Sequence, residues 1–255
     1  MEASSSTVLG DDQLAEYADQ GFIRIPAFAD RSICDAMLAR VIELVRLQAR
    51  GESVGNALIL PEANLAGTEG PPESLVSKVF KLHRDPVFAS FAESRSVTDI
   101  VASLIAPTLD CFLSQFIFKN PAAWGQPWHQ DSFYFHFEPA RPIVGVWLAV
   151  TEATLDNGCL HVLPGSHRQP VHDHVPDRRP GANYGYVEII DHDMTAAVPV
   201  LMDPGDVLFF DSHLMHCSTD NHSTGIRAAM VYHYAATGTA DTLPNLVNDF
   251  VTVRS

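Results

Sequence analysis

Turn signals divide the second half of the chain into short runs of β-branched and aromatic residues. Asn-Gly, Pro-Gly and Gly-Asp pairs, which favour tight turns, separate these runs. The runs cover residues 109–118, 143–150, 159–163, 187–190, 207–210 and 228–234. Many short strands with such punctuation predict a sandwich or a barrel.

The first half of the chain has a largely helical pattern. The predicted elements are a helix from a cap at Asp11 or Asp12 to Gly21, a strand over residues 22–25, a helix after the cap Asp30, a loop over residues 51–74, a strand from Val76, and helices over residues 85–92 and 96–106. The loop is long enough to suggest a functional role, such as bordering an entrance. Helices followed by strands predict an α+β, mainly β chain, with a double-stranded β-helix (jelly-roll, cupin-like) core and flanking N-terminal helices.

The composition is that of one globular domain. At 255 residues the chain can bury one sizeable core, and 46% hydrophobic against 18% charged residues is an ordinary globular balance. We expect a flexible N-terminus over residues 1–10 and a single domain over residues 11–255. The net charge of −15 provides no basic stripe for a phosphate backbone, which argues against a nucleic-acid partner.

The sequence also bears on location and redox chemistry. No apolar stretch approaches the roughly 20 residues that span a bilayer, and MEASSSTVLG lacks the features of a secretion signal. We therefore expect a cytoplasmic protein without a membrane partner, either a monomer or a homodimer. The four cysteines are widely spaced, which argues against a zinc knuckle, a redox dithiol or a disulfide scaffold and predicts small buried side chains.

Two segments carry residues that could bind a metal ion. In QPWHQDSFYF, His129 and Asp131 are two positions apart, and in a strand this spacing places both side chains on one face. In FFDSHLMHCS, His216 supplies a third ligand, whereas His213 would point to the opposite face. Two histidines and one carboxylate on one side of an ion are typical of non-haem iron(II) oxygenases, because the other side stays open for co-substrate and oxygen.

An arginine follows the second metal segment at a defined spacing. Arg227 lies eleven residues after His216, and the turn-forming residues 221–225 lie between them, so a β-hairpin is predicted. If Ser218 pairs with Gly225, the side chains of His216, Ser218 and Arg227 share one face. Ser218 and Arg227 would then bind the carboxylate of a co-substrate together.

These motifs resemble the phytanoyl-CoA dioxygenase family of iron(II)- and 2-oxoglutarate-dependent oxygenases. The resemblance rests on WHQDSFYF, VWLAV, DNGCLHVLPGSH and PGDVLFFDSHLMHCSTDNHSTGIRAAM, and runs from about Leu14 to Tyr234. It implies that His129, Asp131 and His216 bind iron and that Arg227 binds the distal carboxylate of 2-oxoglutarate. It also implies co-substrate contacts for Lys78, Gln115, Trp147 and Ser218.

The resemblance implies hydroxylation of an aliphatic C–H bond in a small molecule, with iron(II), 2-oxoglutarate and O2 consumed to give succinate and CO2. Asp131 argues against halogenation, because halogenating relatives replace this ligand with a small residue. Gln115 replaces an expected methionine, and the C-terminal VTVRS is no peroxisomal signal, so both argue against phytanoyl-CoA as the substrate.

Several alternatives remain open from the sequence. Desaturation, epimerisation and cyclisation are alternative reactions of the same chemistry. A metal-dependent hydrolase would use the same three ligands, and a non-catalytic jelly-roll module would bind a small molecule without oxidising it. Phe133, Tyr134, His136 and Arg141 follow the metal motif closely enough to line a substrate pocket.

Overall fold

A computed structural model describes residues 8–140, 142–183, 185–243 and 245–255 of the chain. Within these ranges, four α-helices lie in the first half: α1 (Asp11–Gln20), α2 (Arg31–Ala49), α3 (Pro86–Ala92) and α4 (Arg95–Leu104). Single 3-10 turns occur at Ala63–Leu65, Pro72–Leu75, Asp131–Tyr134 and Ser166–Arg168.

Strands make up most of the remaining regular structure. The first eight are β1 (Phe22–Ile25), β2 (Leu58–Pro61), β3 (Val76–Phe80), β4 (Leu109–Lys119), β5 (Phe137–Glu138), β6 (Ile143–Ala149), β7 (Leu160–Val162) and β8 (His174–Pro176). The others are β9 (Val187–Ile189), β10 (Val198–Val200), β11 (Val207–Asp211), β12 (His216–Ser218), β13 (Arg227–Ala236), β14 (Ala240–Asp241) and β15 (Val251–Arg254). The chain is therefore mainly β with flanking helices, as the sequence predicts.

Most of the predicted elements are confirmed, but the start of α1 and the loop over residues 51–74 need correction, and the short strands β5, β8, β10, β14 and β15 were not predicted. The N-cap of helix α1 is Gly10, whose backbone has the extended conformation of a cap residue. Asp11 and Asp12 lie in the first turn of the helix, so neither is the cap. Residues 51–74 are only partly a loop, because β2 and two 3-10 turns lie within them. Strand β2 was missed because it is short and ends at Pro61, and its partner β3 fixes it by antiparallel pairing.

The larger sheet separates the helices from the interior of the strand domain. Its strands run in the order β1-β11-β6-β13-β4-β3-β2, and β15 also pairs with β4. Successive side chains alternate between its two faces. Met230 and Tyr232 of β13 join the core cluster that includes Met37 and Val41 of α2. The opposite face of β13 carries Arg227, Val231 and His233, which line an internal cavity.

A smaller three-stranded sheet covers the cavity face of the larger one. Its order is β10-β7-β12, and all its pairings are antiparallel. Leu160 and Val162 of β7 pack in one cluster with Trp147 of β6 and Val231 of β13. The two sheets thus enclose the cavity between them.

The C-terminal segment closes one side of this cavity. The backbone N–H of Asp249 donates to the carbonyl of Phe112 over 2.7 Å, and Nε2 of His83 donates to the carbonyl of Asp249 over 2.6 Å. Arg84 pairs with the Asp249 carboxylate through two hydrogen bonds of 2.6 Å. These bonds hold Val247 and Phe250 against the cluster formed by Phe112 and its neighbours.

The structure also bears on the predictions for membrane spans, cysteines and the N-terminus. In the described ranges, no helix combines the length and apolarity needed to cross a membrane. All four cysteines are free and buried, as predicted. The division into a flexible residue 1–10 segment and one domain stays a prediction: residues 1–7 lie outside the described part, and Leu9 is buried in the main core.

Candidate functional site

His129 and His216 are brought together by the backbone. They form an antiparallel bridge in which His129 N–H donates to the His216 carbonyl (2.9 Å) and His216 N–H donates to the His129 carbonyl (3.0 Å). Each Nδ1 donates to a nearby backbone carbonyl, that of Pro127 for His129 and that of Leu214 for His216. The Nε2 atoms of both rings are thereby left as electron-pair donors directed at the same point.

Asp131 completes a buried group that could hold one metal ion. Its Oδ1 lies 3.4 Å from Nε2 of His129 and 3.7 Å from Nε2 of His216. One ligand atom from each residue lies within 4.8 Å of the other two. The sequence prediction that Asp131 continues a strand is wrong, because the residue begins a 3-10 turn. The turn still directs the carboxylate toward both imidazoles.

The protonation states of this group suit metal binding. Burial would raise the pKa of Asp131, but His216 and His233, together with hydrogen bonds from His129 and His233, hold that pKa well below its usual value. Burial and the neighbouring His129 lower the pKa of His216 to about 4. At neutral pH the group therefore contains a carboxylate and an uncharged His216 ring, which are the states that bind a metal ion.

His233 fixes the orientation of Asp131 and was missed by the sequence reasoning. Its Nε2 donates to Oδ2 of Asp131 over 2.7 Å, which leaves Oδ1 facing the two other histidines. The ring is buried between aromatic side chains, with centroids 5.2 Å from Phe135 and 6.0 Å from Phe112. A signal was available, since His233 is a polar residue on the same alternating face of β13 as Arg227.

Arg227 is a buried cation with unused hydrogen-bond donors. It is 1% exposed, and its Nη2 donates to the carbonyl of Gly158 over 2.9 Å. Within the described residues, its Nε and Nη1 have no hydrogen-bond partner and no carboxylate forms an ion pair with it. Burial lowers the pKa of Arg227 to about 10, so it remains charged at neutral pH. A buried cation with two free donors is a ready partner for a carboxylate.

Gly158 supports this arginine through a conformation that other residues adopt poorly. Its φ is +83°, and a Cβ atom would lie 2.3 Å from the carbonyl oxygen of Thr219. The Asn157 side chain holds the turn that its Asn-Gly pair predicts by bonding to the backbone of Thr154 and Glu152. The Asp-Asn-Gly turn thereby presents a carbonyl to Arg227.

The hairpin predicted between His216 and Arg227 is wrong. Strand β12 pairs with β7 in the smaller sheet, whereas β13 pairs with β4 and β6 in the larger sheet. The intervening residues cross from one sheet to the other. His216, Ser218 and Arg227 nevertheless line the same cavity, because the two sheets face each other across it.

Lys119 is a second cation beside Arg227 that the sequence reasoning missed. The two residues are cross-strand partners in β4 and β13. The Lys119 ammonium donates to Oγ of Ser218 (2.7 Å) and to the carbonyl of Thr219 (2.5 Å). Burial, followed by the charge of Arg227, lowers its pKa well below the usual value. Its place at the end of an apolar strand gave no separate sequence signal.

Lys78, Gln115 and Trp147 also line the cavity, and the co-substrate contacts that the family resemblance implies for them stay a prediction. The Lys78 ammonium donates to Oε1 of Gln126 (2.9 Å) and lies 4.8 Å from the ring centroid of Tyr186. Burial lowers the pKa of Lys78 to about 8. The Trp147 ring centroid lies 5.6 Å from the Arg227 guanidinium, and its Nε1 has no hydrogen-bond partner in the described ranges.

Gln126 links Lys78 to the three-residue group. Its Nε2 donates to Nε2 of His129 over 2.9 Å. A metal ion would take the same lone pair, so this amide marks the metal position. Gln126 was not singled out from the sequence, although it lies three residues before His129.

Of the remaining residues considered from the sequence, some line the cavity and others do not. Tyr134 lines the cavity and donates from its hydroxyl to the carbonyl of Gly185 over 2.9 Å. Phe133 stacks on His174 instead, and His136 does not line the cavity. His213 lies away from the three-residue group, with its side chain 40% exposed and in contact with Ser132, as predicted. Arg141 lies outside the described residues.

Fold and site together define a class. A mainly β fold that buries two histidines, one carboxylate and an arginine with free donors in one cavity has the features of an iron- and 2-oxoglutarate-dependent oxygenase. Residues 17–229 match the model of the family described as "Phytanoyl-CoA dioxygenase (PhyH)". The chain therefore belongs to the phytanoyl-CoA dioxygenase family, whose cofactor set is iron(II), 2-oxoglutarate and O2.

Individual relatives agree with this assignment. The chain is 30% identical to peroxisomal phytanoyl-CoA dioxygenase of Bos taurus over 238 residues, which cover 90% of this chain and 69% of the relative. It resembles the structure of EvdO2 from Micromonospora carbonacea var. aurantiaca complexed with 2-oxoglutarate, with TM-score 0.62, 25% identity, and coverage of 94% and 96% of the two chains. The epimerase SnoN, in complex with Fe3+, alpha ketoglutarate and nogalamycin RO, shares the fold with TM-score 0.69, 20% identity, and coverage of 91% and 85%.

Proposed function

We propose that this protein is an iron(II)- and 2-oxoglutarate-dependent dioxygenase that hydroxylates an aliphatic C–H bond of a small molecule, releasing succinate and CO2. Its two facing sheets form a double-stranded β-helix (jelly-roll) core. Iron is held by His129, Asp131 and His216. The co-substrate is held by the residues already located in the cavity: Arg227, Ser218, Lys78, Gln115 and Trp147.

The observation that carries this proposal is a group of cations without ion-pair partners, of which Arg227 and Lys119 are buried and Lys78 is half-buried. In the described ranges, no ion pair to a carboxylate is formed by Arg227, Lys119 or Lys78, although all three line the cavity that contains the metal-binding group. Buried charges without partners destabilise a fold, so their presence calls for an anionic ligand. A dicarboxylate that reaches from the metal position to Arg227 supplies that charge.

The chain's own residues position the reactants. Iron(II) with 2-oxoglutarate supplies the oxidation of the C–H bond by O2. Arg227 offers two free N–H donors to the distal carboxylate, and Ser218, held by Lys119, adds a third polar contact. His233 holds Asp131 in one orientation. Leu160, Val162 and Trp147 surround this pocket with apolar surface and exclude water from it.

A metal-dependent hydrolase is less well supported by these contacts. The groups that face the metal position across the cavity include three cations, which suit an anionic co-substrate and which a hydrolase does not require. A hydrolase has no requirement for Arg227. Dependence on 2-oxoglutarate therefore distinguishes the two functions.

The test is an anaerobic titration of the purified protein with iron(II) and 2-oxoglutarate. We expect a weak visible charge-transfer band, and we expect His216→Ala and Arg227→Ala each to weaken or abolish it. His213→Ala is the matched control, because it removes a nearby histidine that does not contact the metal-binding group. A wild-type protein that gives no band under reducing, metal-replete conditions would contradict the proposal.

A further inference from the structure

One side of the cavity is formed almost entirely by hydrocarbon. Six residues make this apolar half: Leu58, Leu60, Phe80, Leu113, Phe135 and Val247. They come from β2, β3, β4, the segment after the metal motif and the C-terminal segment. All six belong to or pack against one hydrophobic cluster, so they form a continuous wall.

The charged groups of the cavity bond to residues outside this wall, although Lys78 is the cross-strand partner of Leu60. Lys119 is bonded to Ser218, Lys78 is bonded to Gln126, and Arg227 is bonded to Gly158 and adjoins Trp147. These cations, with the metal-binding group, form the polar half. Among the described lining residues of the C-terminal segment, Asn245 is the only polar one, and it stands beside Leu246 and Val247.

The rim next to the apolar half also lacks a cation available to an anionic ligand among the described residues. Arg84 makes two hydrogen bonds to Asp249, and these are the main cause of the lowered pKa of that carboxyl group. Lys81 acts on the same carboxylate. An anion bound against the wall would leave its charge unpaired, which disfavours binding.

The size of the cavity leaves room for such a ligand. Its volume is about 590 Å³, in the middle of the range for small-molecule sites. The polar half accommodates the small co-substrate, and the remaining space adjoins the apolar wall. Leu246, which is 83% exposed, stands at the opening and adds apolar surface there.

Part of this wall lies after the residues that the family model matches. The family match ends at residue 229, whereas Leu246 and Val247 come later and are fixed by the bonds around Asp249. The residues that hold iron and co-substrate under the proposed function all lie within the match. The C-terminal segment therefore contributes to the apolar half of the cavity and not to the residues proposed to hold iron and co-substrate.

Resting on the proposed function, we infer that the substrate is an uncharged, mainly hydrocarbon molecule without a carboxylate or phosphate group. It binds against the apolar half, with Leu246 and Val247 as specificity-determining residues. Coenzyme A esters and free amino acids are disfavoured, because the described residues of the apolar half include no cation that could pair with their negative charges.

The test compares two fluorescent probes that differ by one sulfonate. N-phenyl-1-naphthylamine is neutral, and 1-anilinonaphthalene-8-sulfonate carries the same rings with a negative charge. We expect the iron- and 2-oxoglutarate-loaded protein, kept anaerobic, to bind the neutral probe at least about 10-fold more tightly, equivalent to about 1.4 kcal/mol. Val247→Lys should weaken binding of the neutral probe and strengthen binding of the anionic one.

Two further variants make the result decisive. Leu246→Lys changes an exposed residue at the opening, so it tests the same inference if Val247→Lys fails to fold. Leu155→Lys is the control, because Leu155 is 58% exposed and does not line the cavity; it should leave both affinities unchanged. Equal or tighter binding of the anionic probe, or equal effects of all three variants, would overturn the inference.

The same samples separate this inference from the proposed function. If the charge-transfer band forms but the neutral probe is not preferred, the substrate class is wrong and the oxygenase stands. If the band does not form, the oxygenase proposal fails whatever the probes show. We expect the charge-transfer band to form and the neutral probe to bind more tightly than the anionic one.

Discussion

The two halves of the cavity differ in what they do for the folded state. The apolar half buries hydrocarbon from five parts of the chain and stabilises the fold in the ordinary way. The polar half holds three cations without ion-pair partners in the described ranges, two of them buried, together with unsatisfied donors on Arg227 and Trp147. The polar half therefore destabilises the ligand-free protein. The residues that bind ligands are therefore also those that lower the stability of the ligand-free fold.

The largest expected effect comes from removing the carboxylate of the polar half. Asp131→Ala should abolish succinate formation, because two histidines alone hold iron weakly and His233 loses its acceptor. Iron retained after gel filtration, measured with a colorimetric chelator, should fall with the activity. Asp191→Ala, which changes an exposed carboxylate, is the control. An Asp131→Ala protein that turns over at the wild-type rate would show that the metal lies elsewhere.

Replacing the arginine should weaken co-substrate binding. Arg227→Leu removes the charged partner of the distal carboxylate, and we expect a loss of about 3 kcal/mol, or roughly 100-fold in the apparent affinity for 2-oxoglutarate. Arg227→Lys keeps the charge but loses the paired donors, so its affinity for 2-oxoglutarate should lie between those of the wild type and Arg227→Leu. Titration of the charge-transfer band measures both. The assignment fails if Arg178→Leu, a change at an exposed arginine, has the same effect.

A smaller effect is expected from the residue that orients Asp131. His233→Leu should weaken iron binding by about 10- to 100-fold, as is usual when a group that bonds a metal ligand is lost. His233→Gln places an amide donor near the same carboxylate oxygen and should recover part of the affinity. The measurement is competition with a metal-binding dye. Equal losses in both variants would indicate a packing role among the aromatic residues instead.

The smallest expected effect comes from replacing Lys78, and it separates the role of this residue in stability from its role in binding. Burial lowers the pKa of Lys78 to about 8 in the folded protein, below its value in the unfolded chain. The unfolded chain therefore binds more protons between about pH 8 and pH 10.5, and the stability rises with pH through that window. Lys78→Met should flatten this rise and increase the free energy of unfolding at pH 7 by up to about 3 kcal/mol.

The same variant should bind 2-oxoglutarate less tightly, because a cation of the polar half is lost. Urea unfolding at pH 7 and pH 10 measures the first effect, and the charge-transfer titration measures the second. A variant that is less stable at both pH values would show that Lys78 is satisfied by Gln126 and Tyr186 without any anion.

How far the sequence predicts the molecule depends on the kind of information required. Local patterns located the helices, most longer strands and the residues His129, Asp131 and His216, because spacing and composition are properties of the chain itself. They did not reveal which strands pair. The link between Ser218 and Arg227 has the composition of a hairpin turn, but it crosses between sheets, because β7 and β4 are the better-placed partners.

The residues that were missed are those whose role depends on distant contacts. Lys119 ends an apolar strand, and only the fold reveals that its ammonium reaches Ser218. His233 stands in a run of aromatic and small residues, and its meaning comes from the Asp131 carboxylate on another segment. The apolar half combines β2 with the C-terminal segment, which are far apart in sequence and have no shared motif.

The backbone bridge between His129 and His216 has a consequence for assembly of the site. Because each residue donates its N–H to the carbonyl of the other, the two imidazoles reach their positions as soon as the sheet edge forms. The conformational entropy of these two histidine ligands is thus lost during folding, before a metal ion binds. Iron capture then resembles docking into a rigid receptor more than a disorder-to-order transition.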